Sequence, residues 1–337
     1  MSSQVTMGET TIRMALRQAA LRAARAPSVH NTQPWQFVLG GKTMEIYADR
    51  RRQLDVLDPR RRQLMVSCGC ALLNARVSLA KAGLPTVVER FPDSTNPDLV
   101  ARITVDEEHG ERPDLYLARL DEYIEERRTN RRPFFEEGVP FDIVDLFADA
   151  ARREGAEVFI IERPEHRLAT AHLTHRADEI ETADPAYRAE LRAWTSDDPR
   201  REDGVLAFSV PHVEGTPEES EVPIRDFDTH GNGWLPGQSR SSLNQCMLLL
   251  GAYEDGPIAW LRGGEALERM LLEVTRAGYA ASPLTQVIEV ALTNNLLRLE
   301  LGLAMHPHVL VRIGRAPTTT ATRRRRLAEV ITEADPG

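Results

Sequence analysis

This chain of 337 residues is poor in the features that mark secreted, metal-binding or dinucleotide-binding proteins. It has three cysteines, Cys68, Cys70 and Cys246. C-x-C plus one distant thiol fits neither a disulfide framework nor a usual zinc spacing, so small buried apolar residues in a reducing cytoplasm are expected. Positions 1–11 lack the charged and apolar regions of a signal peptide, and no apolar run has the length of a bilayer crossing. No G-x-G-x-x-G follows a strand pattern, and no G-x-S-x-G elbow points to a hydrolase. His172-x-x-His175 and His306-x-His308 lack a third ligand in register and read as surface or capping residues. A net charge of −9 gives no reason to expect a nucleic-acid partner. What remains is a cytoplasmic chain with no expected metal, membrane or nucleic acid, long enough for one large or two modest domains.

Helical and strand patterns alternate along it. Helices are expected over 13–25, 64–82, 114–127, 141–153, 165–181, 186–195, 264–277 and 287–301, the last almost wholly buried. Strands are expected over 36–39, 44–47, 86–91, 99–105, 156–161, 245–250 and 308–313, with a brief one at 205–210 and a crossing segment over 280–286. Residues 197–240 carry five prolines, many glycines and mixed charge. A stretch this long reads as a lid, with Trp234 and Leu235 as docking side chains. Two loosely similar parts divided near Pro113 fit better than a doubly wound sheet: 1–113, and 114–337 including the lid.

Four local patterns carry chemistry. The loop Ala26-Pro27-Ser28-Val29-His30-Asn31-Thr32-Gln33-Pro34-Trp35 packs hydrogen-bonding side chains between two stiff prolines, which suits either a flat polar ligand or an ordinary turn. Arg127, Arg128, Thr129 and Arg131 offer forked donors and a hydroxyl matching a phosphomonoester, or else form a solvated basic face. Ser282, Pro283, Leu284, Thr285 and Gln286 read as a helix start with free N–H groups. Arg323 to Arg326 form a basic run without interleaved aromatics.

The string P-S-x-x-N-x-Q-P-W resembles the loop of the FMN-dependent nitroreductase family, and R-R-T-N-R is similar to that family's R-R-S-x-R string. The resemblance implies an α+β, three-layer α/β/α nitroreductase-like fold binding FMN. The loop residues Pro27, Ser28, His30, Asn31 and Gln33 would lie at the ring and ribityl chain. Arg127, Arg128, Thr129 and Arg131, with Arg324 or Arg325 from the tail, would serve the phosphate. The backbone of Pro283, Leu284, Thr285 and Gln286 would lie beside flavin N5.

Nitroreductases of this family are homodimers with FMN at the interface. Here the loop occurs once, in the first part, and the other three elements occur in the second. One chain would therefore mimic a homodimer, with a lid insertion and one FMN per polypeptide, acting as a monomeric pseudo-dimer or weak homo-oligomer. This arrangement resembles the Acg-like actinobacterial subfamily, associated with dormancy and stress. Two functions are implied: NAD(P)H-dependent reduction of nitroaromatics or quinones without a protein acid or base, or flavin storage beneath an occluding lid.

Overall fold

The computed structural model describes residues 8–210, 222–227, 229 and 245–334. Trp234 and Leu235, and most of 211–244, lie outside the described residues. The chain opens with α1 (Glu9–Ala23), β1 (Trp35–Leu39), β2 (Thr43–Ala48), α2 (Arg62–Lys81), β3 (Thr86–Arg90), β4 (Leu99–Val105) and the short α3 (Leu115–Ala118). It continues through α4 (Phe141–Arg152), β5 (Glu157–Ile160), α5 (Pro164–Ala183), α6 (Pro185–Ala193), the two-residue strands β6 (Thr195–Ser196) and β7 (Val205–Leu206), and β8 (Cys246–Ala252). Then come α7 (Pro257–Arg276), β9 (Ala280–Leu284), α8 (Gln286–Glu289), α9 (Ala291–Glu300), β10 (His306–Gly314), α10 (Leu327–Val330) and β11 (Ile331–Glu333). Proline in the first turn starts α5, α6 and α7, where its missing N–H costs nothing.

The result is an α+β fold with two principal sheets. One has the strand order β11-β1-β2-β4-β3 and the other β5-β8-β10-β9. Apart from β11, both sheets place their strands in the same order, first-second-fourth-third along the chain, with a long helix, α2 or α7, between the second and the third. β11 comes from the C-terminal tail and pairs in parallel with β1, Phe37 opposite Ile331. That strand had no signal among the polar and arginine residues around it.

Between the sheets, α2 crosses α7. A Cβ on Gly69 would lie 2.0 Å from the carbonyl oxygen of Leu261 and 2.9 Å from the Gly264 Cα. A Cβ on Gly264 would lie 2.0 Å from the carbonyl oxygen of Val66 and 2.9 Å from the Gly69 Cα. Each glycine thus faces the carbonyl three residues before the other, a local two-fold relation that only hydrogen side chains permit. Although α2 is long and apolar enough by composition to cross a bilayer, 94% of its apolar window is buried inside this protein. It lies against α7 and α1 in the main core.

Two helices are shorter than their patterns suggested. Over 114–127 only α3 is α-helical, followed by a 3-10 turn at Asp121–Tyr123. The buried Leu117 and Leu120 are spaced by three, the period of the tighter helix, and pack with Ile124 against Leu73 and Val77 of α2. Over 287–301 the helix is interrupted at Val290, which is extended. The freed carbonyls of Val287 and Ile288 accept from Thr293 Oγ1 at 2.9 Å and Asn294 Nδ2 at 2.9 Å. Leu292 and Leu299 point outward, so this stretch is not wholly buried.

Replacing Gly69 by alanine forces two backbones apart. We expect a loss of at least about 2 kcal/mol in denaturant unfolding, and a similar loss for Gly264→Ala because the contact is reciprocal.

Candidate functional site

The loop between α1 and β1 is strained. His30, Asn31 and Gln33 have φ of 46°, 54° and 50°, a region that costs most L-residues energy and is retained where the surroundings impose it. Ser28 Oγ accepts from the Gln33 N–H at 2.9 Å, and Ser67 Oγ of α2 accepts from the Val29 N–H at 3.1 Å. These bonds hold the loop against α2.

Opposite it runs the arginine string. The Asn130 N–H donates to the carbonyl of Ala281 at 2.9 Å, and Thr129 forms a parallel bridge with Ala281. Residues 127–131 are therefore laid along β9, beside the 282–286 segment. The tail passes over the loop on its way to β11. There Arg324 Nη1 donates to Asn31 Oδ1 at 3.1 Å, and its Nη2 donates to the carbonyls of Arg25 and Ala26 at 3.2 Å.

Two adjoining cavities result. The first, about 180 Å³, is lined by Arg25, Pro27, Ser28, Asn31, Arg127, Arg128, Thr129, Arg131, Thr322 and Arg324, among others. The second, about 100 Å³, is lined by Pro27, Ser28, His30, Thr129, Arg131, Ser282, Pro283, Leu284, Thr285 and Gln286. Pro27, Ser28, Thr129 and Arg131 line both, so the two adjoin along a shared wall.

Thirteen of the fifteen sequence candidates are thereby brought together, and two are not. Gln33 and Arg325 line neither cavity. They bind one another, Gln33 Oε1 accepting from the Arg325 N–H at 2.8 Å, while Gln33 Nε2 donates to the carbonyl of Glu202 at 2.9 Å. Of the two tail arginines only Arg324 faces the cavity. Thr285 occupies the N-cap position of α8 without a side-chain capping hydrogen bond.

Several cavity residues had no sequence motif. Gln63, Ser67 and Cys70 of α2 line the second cavity; small and polar residues on an otherwise apolar helix are their one signal. Ile224, Arg225 and Phe227, from the expected lid, line it as well. Arg225 is buried, donating to Glu181 Oε2 at 3.1 Å and also to Glu289 and Tyr187. That one guanidinium ties its segment to α5, α6 and α8.

Charge is concentrated in the first cavity. Burial draws Arg324 down to about 9, and Arg127, Arg25 and Arg128 act in the same direction. The counter-charge lies behind them: Glu268 of α7 is fully buried, its Oε1 3.6 Å from Arg127 Nε. Burial pushes the Glu268 carboxyl up to about 7, against the pull of Arg127. Burial also holds His30 well below the ordinary imidazole range, with Arg225 and Arg131 adding to the effect.

The far side of the α2–α7 crossing is filled differently. Cys70, next to Gly69, lines the second cavity, whereas Glu265, next to Gly264, has no exposure. Glu265 accepts both prongs of Arg90 at 2.7 and 2.9 Å, and Arg76 at 2.7 Å. Glu154 then joins Arg76 to Arg269.

Fold and site together define a two-sheet α+β protein with an arginine-lined cleft at the seam between its sheets. No family model matches the chain. It is 33% identical over 324 residues to a Mycobacterium tuberculosis H37Rv protein named "Putative NAD(P)H nitroreductase Rv3131", covering 94% of this chain and 90% of that one. It is 32% identical over 343 residues to "Putative NAD(P)H nitroreductase acg" of the same strain, covering 94% of each. Among solved structures, the FMN-dependent nitroreductase NfnB from Mycobacterium smegmatis in complex with NADPH matches 63% of this chain and 97% of its own. Its identity is 19% and its TM-score 0.37, a similarity too low to carry weight. On the first two relationships the chain belongs to the nitroreductase family, alongside Acg.

The raised Glu268 carboxyl has a stability consequence. Between its unfolded value of 4.5 and its folded value near 7, the native state holds a proton that the unfolded state has released. Its contribution is therefore fully present below the unfolded value and is lost as pH rises through 7. We expect Glu268→Gln to gain stability relative to the parent, in ligand-free protein, as pH is raised from 5 to 8. The relative gain should be up to about 3 kcal/mol, read from urea midpoints.

Proposed function

We propose that the chain holds one FMN across the two adjoining cavities and uses NAD(P)H to reduce small acceptors of the nitroaromatic or quinone class. The observation that carries this reading is that Asn31, Arg128 and Arg324 line one cavity, although Asn31 and Arg324 are 293 positions apart. The donor set fits the cofactor. Arg127, Arg128, Arg324 and Thr129 suit a phosphate dianion, which would relieve the mutual repulsion of the arginines. Residues 283–286 wall the other end, where Ile224 and Phe227 add apolar side chains to the lining. Bound FMN would supply the hydride and electron transfer, while the chain's residues bind, orient and shield it.

One polypeptide would thereby stand in for two subunits, with 1–113 and 114–337 as its halves and a single site. The ion pairs at Glu265 occupy the other side of the crossing and favour one FMN per chain.

A second reading, flavin storage, is favoured by the same Ile224, Arg225 and Phe227. They belong to the expected lid, and Arg225 pins them over the cavity that a nicotinamide would have to enter.

Purified protein is expected to be yellow, with one FMN per chain. Replacing both Arg127 and Arg128 by alanine should give colourless protein; stoichiometric FMN in that variant would show the phosphate assignment to be wrong. Arg324→Ala should weaken FMN at least about tenfold, as expected for a charged hydrogen bond, and Arg325→Ala less than about twofold. Steady NAD(P)H oxidation with a nitrofuran or quinone decides for the reductase. Bound FMN without oxidation decides for storage, and Arg225→Ala should then raise the rate.

A further inference from the structure

The loop's expected ring contact, Asn31, already has protein partners for both atoms of its amide. Its Oδ1 accepts from Arg324, and its Nδ2 donates to the carbonyls of Gly204 at 3.1 Å and Arg323 at 3.3 Å. The neighbouring His30 is the opposite case. It is 7% exposed and lines the second cavity, and neither ring nitrogen has a hydrogen-bond partner among the described residues. An imidazole buried in this way forfeits hydrogen bonds it would make in water, and its left-handed backbone adds strain.

Its surroundings define what it can bind. The ring meets Phe227 edge-on at 5.1 Å between centroids, and the Arg131 guanidinium lies 4.9 Å from the centre of the same Phe227 ring. Arg131 lines both cavities, and no acidic group among the described residues offsets its charge. Arg225 is the other cation facing His30, and its charge is already answered by Glu181 and Glu289, with Asp178 nearby. Guanidiniums only donate. A ligand edge carrying an N–H between carbonyls needs an acceptor there as well. Burial, reinforced by the two flanking cations, keeps the imidazole neutral, with one nitrogen left to accept.

We propose that His30 accepts the imide N–H of the heterocycle bound in the second cavity, while Arg131 donates to a carbonyl beside it. This rests on the FMN reading and assigns its ring-recognition residue. In flavin the group is N3–H, flanked by two carbonyls. The loop thus divides its labour: Asn31 fastens the tail arginine, and His30 reads the ring.

The test compares FMN with 3-methyl-FMN, which keeps the phosphate and loses the N–H. Fluorescence titration of wild-type protein should show methylation weakening binding at least about tenfold, the value of one buried hydrogen bond. In His30→Phe, FMN itself should weaken by a similar factor, and methylation should add less than about twofold. His30→Gln, which retains an acceptor, should restore part of the discrimination. Equal binding of the two flavins by wild type overturns the proposal without any variant having to fold. An undiminished methylation penalty in His30→Phe overturns it too. Wild type that binds neither flavin overturns the FMN reading, and this assignment with it.

Discussion

The backbone contact between α2 and α7 at Gly69 and Gly264 is the constraint from which the rest of the molecule follows. With no side chain at either position, two long helices pass close enough for each glycine to meet the other helix's carbonyl. The two sheets are thereby brought to opposite sides of one seam, and the loop after α1 is set against the arginine string along β9. A larger residue at the crossing would separate the walls of the cleft before it disturbed any residue in it.

Local symmetry at the crossing makes the asymmetry around it informative. On one side Cys70 is followed by open space shared with the strained loop; on the other, Glu265 is enclosed by Arg76 and Arg90. Buried charges are tolerable only when paired and hydrogen-bonded, and this network meets that condition. The cleft instead holds a surplus of arginines with Glu268 as its buried counter-charge, an arrangement suited to receiving an anion.

Connectivity completes the cleft. The tail reaches the first sheet as β11, and the path to that pairing carries Arg324 over the loop, where Asn31 and two backbone carbonyls fix it. Arg325 follows immediately but turns the other way, toward Gln33 and Glu329. Arg326 in turn lies 3.5 Å from Glu202, so the consecutive arginines do not share one site.

Much of this could be read from the chain alone. Periodicity determined the principal helices and strands, because a 3.6 or 2 residue repeat is a local property of a sequence packed on one face. The loop and the arginine string were legible because polar and forked side chains at fixed spacing are local too. The break at Val290 was not legible, since Thr293 and Asn294 repair it with side-chain bonds that no propensity records. Nor was β11, whose three residues pair only because β1 offers them an edge. Tertiary structure alone decided which candidates share a cavity, that Arg324 faces it while Arg325 and Gln33 do not, and that Asn31 is engaged while His30 is free. Those outcomes depend on contacts between residues far apart in the chain, where direction and burial, not spacing, decide which polar atom is left without a partner.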